Sequence, residues 1–126
     1  MDYRTDRQRA LGLGASGEGS QHWWSQRVSS IALVILTPLF LWIYVPLLGA
    51  DHADVRQAFG HPFRAIAGIL FIMVLFHHLR QGLQVVIEDY VHNRPVLTAL
   101  TIGSTLFCWA FGVTGVFAIA SMAFGR

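Results

Sequence analysis

The chain has 126 residues, of which 54% are hydrophobic and only 13% charged, with a formal net charge of +2. A soluble domain carries about 25% charged residues, so this composition excludes an ordinary water-facing surface, and the small positive balance excludes a basic footprint for nucleic acid. All nine cationic residues are arginine, and the single cysteine, Cys108, sits in an apolar run, which excludes an internal disulfide and a cysteine-based metal site.

At the N-terminus, Arg4, Arg7 and Arg9 are not followed by the apolar core of a cleavable signal. A polar, Gly/Ser-rich stretch follows at 11–20, of the composition that behaves as flexible chain. Residues 1–26 are therefore expected to form a retained, flexible cytoplasmic tail, and 27–126 a membrane domain.

Three apolar runs follow, predicting helices at about 28–48, 63–87 and 96–124. Each reaches the ~20 residues that a helix needs to cross a ~30 Å hydrocarbon core. The fold class expected is all-α, an integral membrane protein with three transmembrane helices. Pro38 falls inside the first run, where neighbouring groups in a bundle can satisfy the carbonyl it frees. Gly49 closes that run, and 51–60 reads as a polar connection. Pro62 stands where the second helix starts, a position that tolerates a missing N–H. Asn93-Arg94-Pro95 separates the second run from the third. There Ser104, Cys108, Gly112 and Ala120 form a small-residue stripe that lets another helix approach.

Arginine placement sets the expected orientation. With the N-terminus inside, Arg4, Arg7, Arg9, Arg27 and Arg94 lie on the inner side and Arg56, Arg64 and Arg126 on the outer side. The bias favours N inside and C outside.

The second run carries the chemistry. Ionisable residues inside a membrane span are costly and point to function, and here they cluster at one end, from His77 to His92. At about 100° per residue, His78, Gly82, Val85 and Asp89 share one face. Gly82, one turn beyond His78, leaves room for a flat ligand beside the imidazole, and a neutral His is a standard axial ligand for haem iron. No second ligand at matching depth stands on another run, so a partner chain would supply the opposite one. His77 points elsewhere, toward Gln81, Gln84 and Glu88, and suits an interhelical hydrogen bond. Tyr90 follows His78 by 12 positions, about 18 Å along a helix. Its hydroxyl can donate to a quinone carbonyl, with Asp89 orienting it, although Tyr is also common at membrane interfaces. Arg80, about 15 Å from Tyr90, is expected near mid-bilayer, where it needs an anion, a polar interface or water. At the start of the first run, Trp23-Trp24 reads as an interfacial belt. Arg27 there can pair with a haem propionate or reach lipid headgroups.

The block His78, Gly82, Asp89-Tyr90, within Gly82-Leu83-Gln84-Val85-Val86-Ile87-Glu88-Asp89-Tyr90-Val91-His92, resembles the second helix of the hydrophobic membrane anchor of succinate dehydrogenase (respiratory complex II), in its alphaproteobacterial and mitochondrial form. Arg27-Val28-Ser29-Ser30, the three-span layout and the chain length agree, and the resemblance covers about 21–124. It implies a second membrane anchor chain, of the cytochrome b556 type. Each of the two chains would give one axial His to a shared haem b, with His78 as this chain's ligand. It further implies Arg27 near the propionates, Tyr90 as a hydrogen-bond donor to ubiquinone, and iron–sulfur and flavoprotein subunits docked on the inner face to carry the succinate chemistry. The location implied is the bacterial inner membrane, or the mitochondrial inner membrane in a eukaryote. The residues alone also admit a membrane cytochrome b subunit of another quinone-linked oxidoreductase, or a non-redox scaffold or transport subunit.

Overall fold

A computed structural model describes residues 5–10 and 19–125. The helices are α1 (Asp6–Ala10), α2 (Gly19–Tyr44), α3 (His52–Phe59), α4 (Pro62–Tyr90) and α5 (Arg94–Phe124), with a 3₁₀ turn at Val45–Leu47. Three segments, Ser20–Leu47, Pro62–Tyr90 and Arg94–Phe124, are long and apolar enough to cross a membrane.

Each long helix exceeds the apolar run that predicts it, because hydropathy marks the lipid-facing stretch and not the hydrogen-bonded ends. The largest difference is in α2, which starts at Gly19 instead of near 28, so residues 19–26 of the expected tail belong to a helix. Within the expected tail, Asp6–Ala10 is also helical, and the flexible stretch expected at 11–18 lies outside the described residues. The helix continues through Pro38 and stops at Tyr44. Pro46 explains the stop: its ring disfavours the α conformation at Val45 and would clash with the carbonyl one turn back. Gly49, at φ +84°, then makes the reversal in a backbone region that other residues rarely adopt. At the other end, Asn93 caps α5 by accepting from the Val96 N–H at 3.3 Å, with Pro95 in the first turn.

The connection expected at 51–60 is corrected to helix α3. Its Val55, Ala58 and Phe59 fall at i, i+3 and i+4, one apolar stripe on an otherwise polar segment. Ala58 and Phe59 are buried. Phe59 joins Ala65 of α4 and Ile119 of α5 in the core, and its ring stacks on Tyr44 at 4.9 Å. Arg56 donates to the Gly125 carbonyl, tying α3 to the end of α5.

α4 lies between α2 and α5 and packs against both. Phe40 stacks on Phe71 at 4.1 Å, and Tyr44 donates to the Arg64 carbonyl. On the other flank small residues set the approach. Cβ atoms built on Gly112 and Gly115 would come within 3.3 Å of Phe76 and 3.1 Å of Ile72, and Cys108 is 2% exposed. The stripe expected on the third helix is thus a packing face, widened by Gly115. Lipid gives helices no hydrophobic drive to associate, so close van der Waals fit carries the packing. Outward residues such as Val34, Trp42 and Phe117 remain open to lipid.

Gly68 marks the tightest crossing. A Cβ there would collide with the Tyr44 hydroxyl and lie 3.0 Å from Ile119 Cδ1. Gly68→Ala is expected to cost about 1–3 kcal/mol of overpacking strain, seen as a lower yield of assembled complex and a lower thermal aggregation midpoint. Gly103→Ala, which faces open space, should leave both readings unchanged.

Candidate functional site

The first turns of α2 carry Ser25, Gln26 and Ser29 at spacings that place them toward α4. They meet the two histidines and Gln81 there. Ser29 is 5% exposed and Gln81 is 3% exposed. Hydrogen bonds between these side chains satisfy part of this polar layer, where unpaired groups are costly.

His78 has partners at both ring nitrogens. Nδ1 lies 2.9 Å from Ser29 Oγ, and Nε2 lies 3.4 Å from the Gln26 side-chain nitrogen. The Ser29 hydroxyl spends its one hydrogen on the Gln26 carbonyl at 3.0 Å. With that hydrogen spent, Nδ1 is placed to donate to Ser29 and Nε2 to accept from the Gln26 amide, a contact that a metal at Nε2 would displace. Toward Gly82 the space is open: a Cβ built there finds nothing nearer than the Gln26 amide nitrogen at 3.9 Å. The Gln26 side chain lies between this opening and His78 Nε2.

His77 enters a separate chain of bonds. Gln81 donates to Ser25 Oγ at 2.8 Å, and Ser25 Oγ lies 3.1 Å from His77 Nε2. This is the interhelical role that its position suggests. Three buried atoms in the layer find no partner among the described residues: His22 Nε2, Gln26 Oε1 and Gln81 Oε1.

Arg27 is exposed, with its guanidinium 4.6 Å from the centre of the Trp23 ring. With Gln26 it lines a hollow of about 410 Å³, so one glutamine separates Arg27 from His78. Asp89 and Tyr90 occupy the last turn of α4, far along the axis from His78. Both are exposed, Tyr90 to 79%. The fold does not bring them to the imidazole. Gln84 donates to Glu88 at 2.8 Å on the neighbouring face.

Arg80 falls between His77 and Gln81, and both of those reach Ser25, so this turn of α4 is level with the polar turns of α2 near Trp24. The signal that sequence reasoning missed is the Ser25, Gln26, Ser29 set, three hydrogen-bonding side chains on one face just ahead of a membrane span.

Among the described residues no three His, Cys, Asp or Glu side chains gather as a metal site. A single imidazole from this chain needs a counterpart from elsewhere to complete an axial pair. The residues present fit one side of a haem: a half-buried imidazole partnered at Nδ1, an adjacent glycine gap, an orphaned buried amide oxygen and an arginine one residue further along α2.

The family model described as "Succinate dehydrogenase/Fumarate reductase transmembrane subunit" matches residues 1–118. The chain is 38% identical over 125 residues to the succinate dehydrogenase hydrophobic membrane anchor subunit of Paracoccus denitrificans, covering 99% of this chain and 96% of that one. It is 30% identical over 109 residues to the protein of the same name from Rickettsia bellii, covering 84% and 85% of the two chains. The succinate dehydrogenase membrane anchor subunit of Reclinomonas americana is 35% identical over 82 residues, 60% of this chain and 66% of its own. No solved structure matches the chain. With three helices able to span a bilayer, a family match over most of its length and full-length relatives, this multi-pass inner-membrane chain belongs to the succinate dehydrogenase membrane anchor family.

Proposed function

We propose that this membrane anchor holds one face of a haem b through His78 and helps form the ubiquinone site through Tyr90. The observation that carries the reading is the setting of His78: Nδ1 lies 2.9 Å from Ser29 Oγ, and Gly82 one turn on has nothing nearer its Cβ position than the Gln26 amide nitrogen at 3.9 Å. A histidine that served only as helix glue would use both nitrogens in firm interhelical bonds. The Nε2 contact to Gln26 is long at 3.4 Å and is made to a flexible side chain.

In this reading the second membrane anchor chain supplies the opposite axial ligand. Arg27, on the Gln26 side of the site, pairs with a propionate carboxylate. When bound, haem b supplies one-electron redox chemistry close to the quinone. Ser29 holds the imidazole plane and its tautomer, Gln26 swings off Nε2, and Gly82 lets the ring approach. At the end of α4, Tyr90 donates its phenolic hydrogen to a carbonyl oxygen of ubiquinone, and Asp89 orients that hydroxyl. With α2 entering from the inside, this end of α4 faces the inner surface, where the iron–sulfur and flavoprotein subunits dock and oxidise succinate. The chain itself carries none of that chemistry.

The test is purification of the whole complex from its native membrane, with subunit identification and a pyridine haemochrome assay. One haem b per complex, together with the flavoprotein and iron–sulfur subunits, is the expected result. A colourless complex sinks the haem reading.

The positioning role of Ser29 has its own expected outcome. Loss of an outer hydrogen bond to a ligating His costs 10–100-fold in affinity as a rule of thumb. Ser29→Ala should weaken haem retention by about that factor in a titration of haem-depleted complex, and Ser29→Thr, which keeps the hydroxyl, should restore most of it.

A further inference from the structure

The polar layer between α2 and α4 holds a charge that ligation by His78 does not use. Arg80 follows His78 by two residues, about 3 Å along the axis and about 200° round the helix. It is half-buried, in a layer shared with Ser25, Ser29 and His77. Among the described residues no hydrogen bond or ion pair holds its guanidinium.

The sequence explains why. Neither α2 nor α5 carries an Asp or Glu anywhere along its length. On α4 the first carboxylate is Glu88, eight residues beyond Arg80, about 12 Å along the axis, and it accepts from Gln84 at 2.8 Å. Asp51 and Asp54 stand at and just inside the start of α3, at the other end of α4. The three spanning helices therefore set a cation beside His78 with no anion of their own to cancel it. Arginine keeps that charge at any working pH.

A fixed charge next to a redox ligand has a definite sign of effect. Oxidation of an iron centre held by two neutral imidazoles adds one positive charge to it, and a nearby cation opposes that addition. His78 and Arg80 stand on opposite sides of one helix, which is about 12 Å across with its side chains. A unit charge at about that distance, in an effective dielectric of about 20, shifts a one-electron equilibrium by about tenfold. Partial burial limits the screening that salt would give an exposed cation.

We infer that Arg80 raises the midpoint potential of the haem held by His78, through its charge and without touching the haem. The inference rests on His78 as an axial ligand and adds to it a second residue of α4, one that sets how readily the haem takes an electron from succinate oxidation. Ser29 orients the ligand on one side of the helix, and Arg80 biases the electron equilibrium from the other.

The experiment is an optically monitored redox titration of haem b in the whole complex. Arg80→Gln removes the charge and keeps a polar side chain. It should lower the one-electron reduction constant about tenfold, a midpoint about 59 mV below native. Arg80→Lys keeps the charge and should stay within about twofold of native. Haem content and the bis-histidine signal in electron paramagnetic resonance, read on the same samples, should be unchanged in both variants. A native complex without haem, or without that signal, defeats the His78 reading and takes this inference with it. Native haem whose potential is the same in Arg80→Gln overturns the Arg80 inference alone. So does a fall that Arg80→Lys fails to restore, since the guanidinium would then act through its shape. Loss of haem from Arg80→Gln overturns it as well, since the residue would then retain the haem and not tune it.

Discussion

Replacing His78 with alanine is expected to strip haem b from the assembled complex by at least tenfold, with the residual pigment shifted in its reduced-minus-oxidised spectrum. This imidazole combines a close partner at one nitrogen, Ser29 at 2.9 Å, with a long 3.4 Å contact to the Gln26 side chain at the other. Alanine removes the ligand and leaves the Ser29 hydroxyl with its bond to the Gln26 carbonyl intact, and the Gln26 amide on α2 loses only a long 3.4 Å contact. The effect should accordingly fall on haem and not on folding, and the α2–α4 crossing at Phe40, Phe71 and Tyr44 should persist. His77→Ala is the matched control. It breaks the contact to Ser25 at 3.1 Å, a neutral hydrogen bond of about 1 kcal/mol, and should leave the haem spectrum in place. If His77→Ala bleaches the complex and His78→Ala does not, the ligand is misassigned by one residue.

The second large effect is expected at the other end of α4. Tyr90→Phe deletes one hydroxyl from a residue that is 79% exposed, so the anchor loses no buried contact and its stability should not change. The loss falls on whatever that hydroxyl meets. A neutral hydrogen bond to a quinone carbonyl is worth about 0.5–1.5 kcal/mol net, up to about tenfold in rate or affinity. Succinate–ubiquinone turnover should drop by a factor of that order. Succinate oxidation with an artificial acceptor that bypasses the membrane should remain at the native level. Equal losses in both assays would instead indicate a damaged complex, and no loss in either would remove Tyr90 from the quinone site.

Much of this architecture is legible in the sequence because lipid imposes a severe rule: every backbone group must be satisfied within the span. Runs of apolar residues as long as those at 28–48, 63–87 and 96–124 then have few structures open to them. Four residues from His78 to Gly82 is one helical turn, and a Cβ at Gly82 would meet nothing nearer than the Gln26 amide nitrogen at 3.9 Å. What composition hid was amphipathic. Asp51, His52, Asp54 and Arg56 make 51–60 look like a loop, while Val55, Ala58 and Phe59 supply the stripe that folds it into α3 against Tyr44 and Ile119. The early start of α2 escaped for a related reason, since polar helix turns outside the hydrocarbon leave no hydropathy signal.

The crossing of α2 and α4 sets the level of Arg80 against α2, since Ser25 meets both His77 and Gln81. From Gln81, α4 continues nine residues to Tyr90, or ~14 Å. The partners of His78 were likewise beyond sequence reasoning. Nothing local in Gln26 or Ser29 reveals that they face a histidine 52 and 49 positions away.

Axial ligation by His78 is tested most directly by the ligand-field signature of the oxidised complex carrying His78→Met. Methionine keeps an axial donor but exchanges imidazole nitrogen for thioether sulfur, a change that raises the haem potential. Electron paramagnetic resonance and near-infrared magnetic circular dichroism should show the native bis-histidine signal replaced by a histidine–methionine signal, with a higher midpoint potential. An unchanged bis-histidine signal in that variant would contradict the assignment.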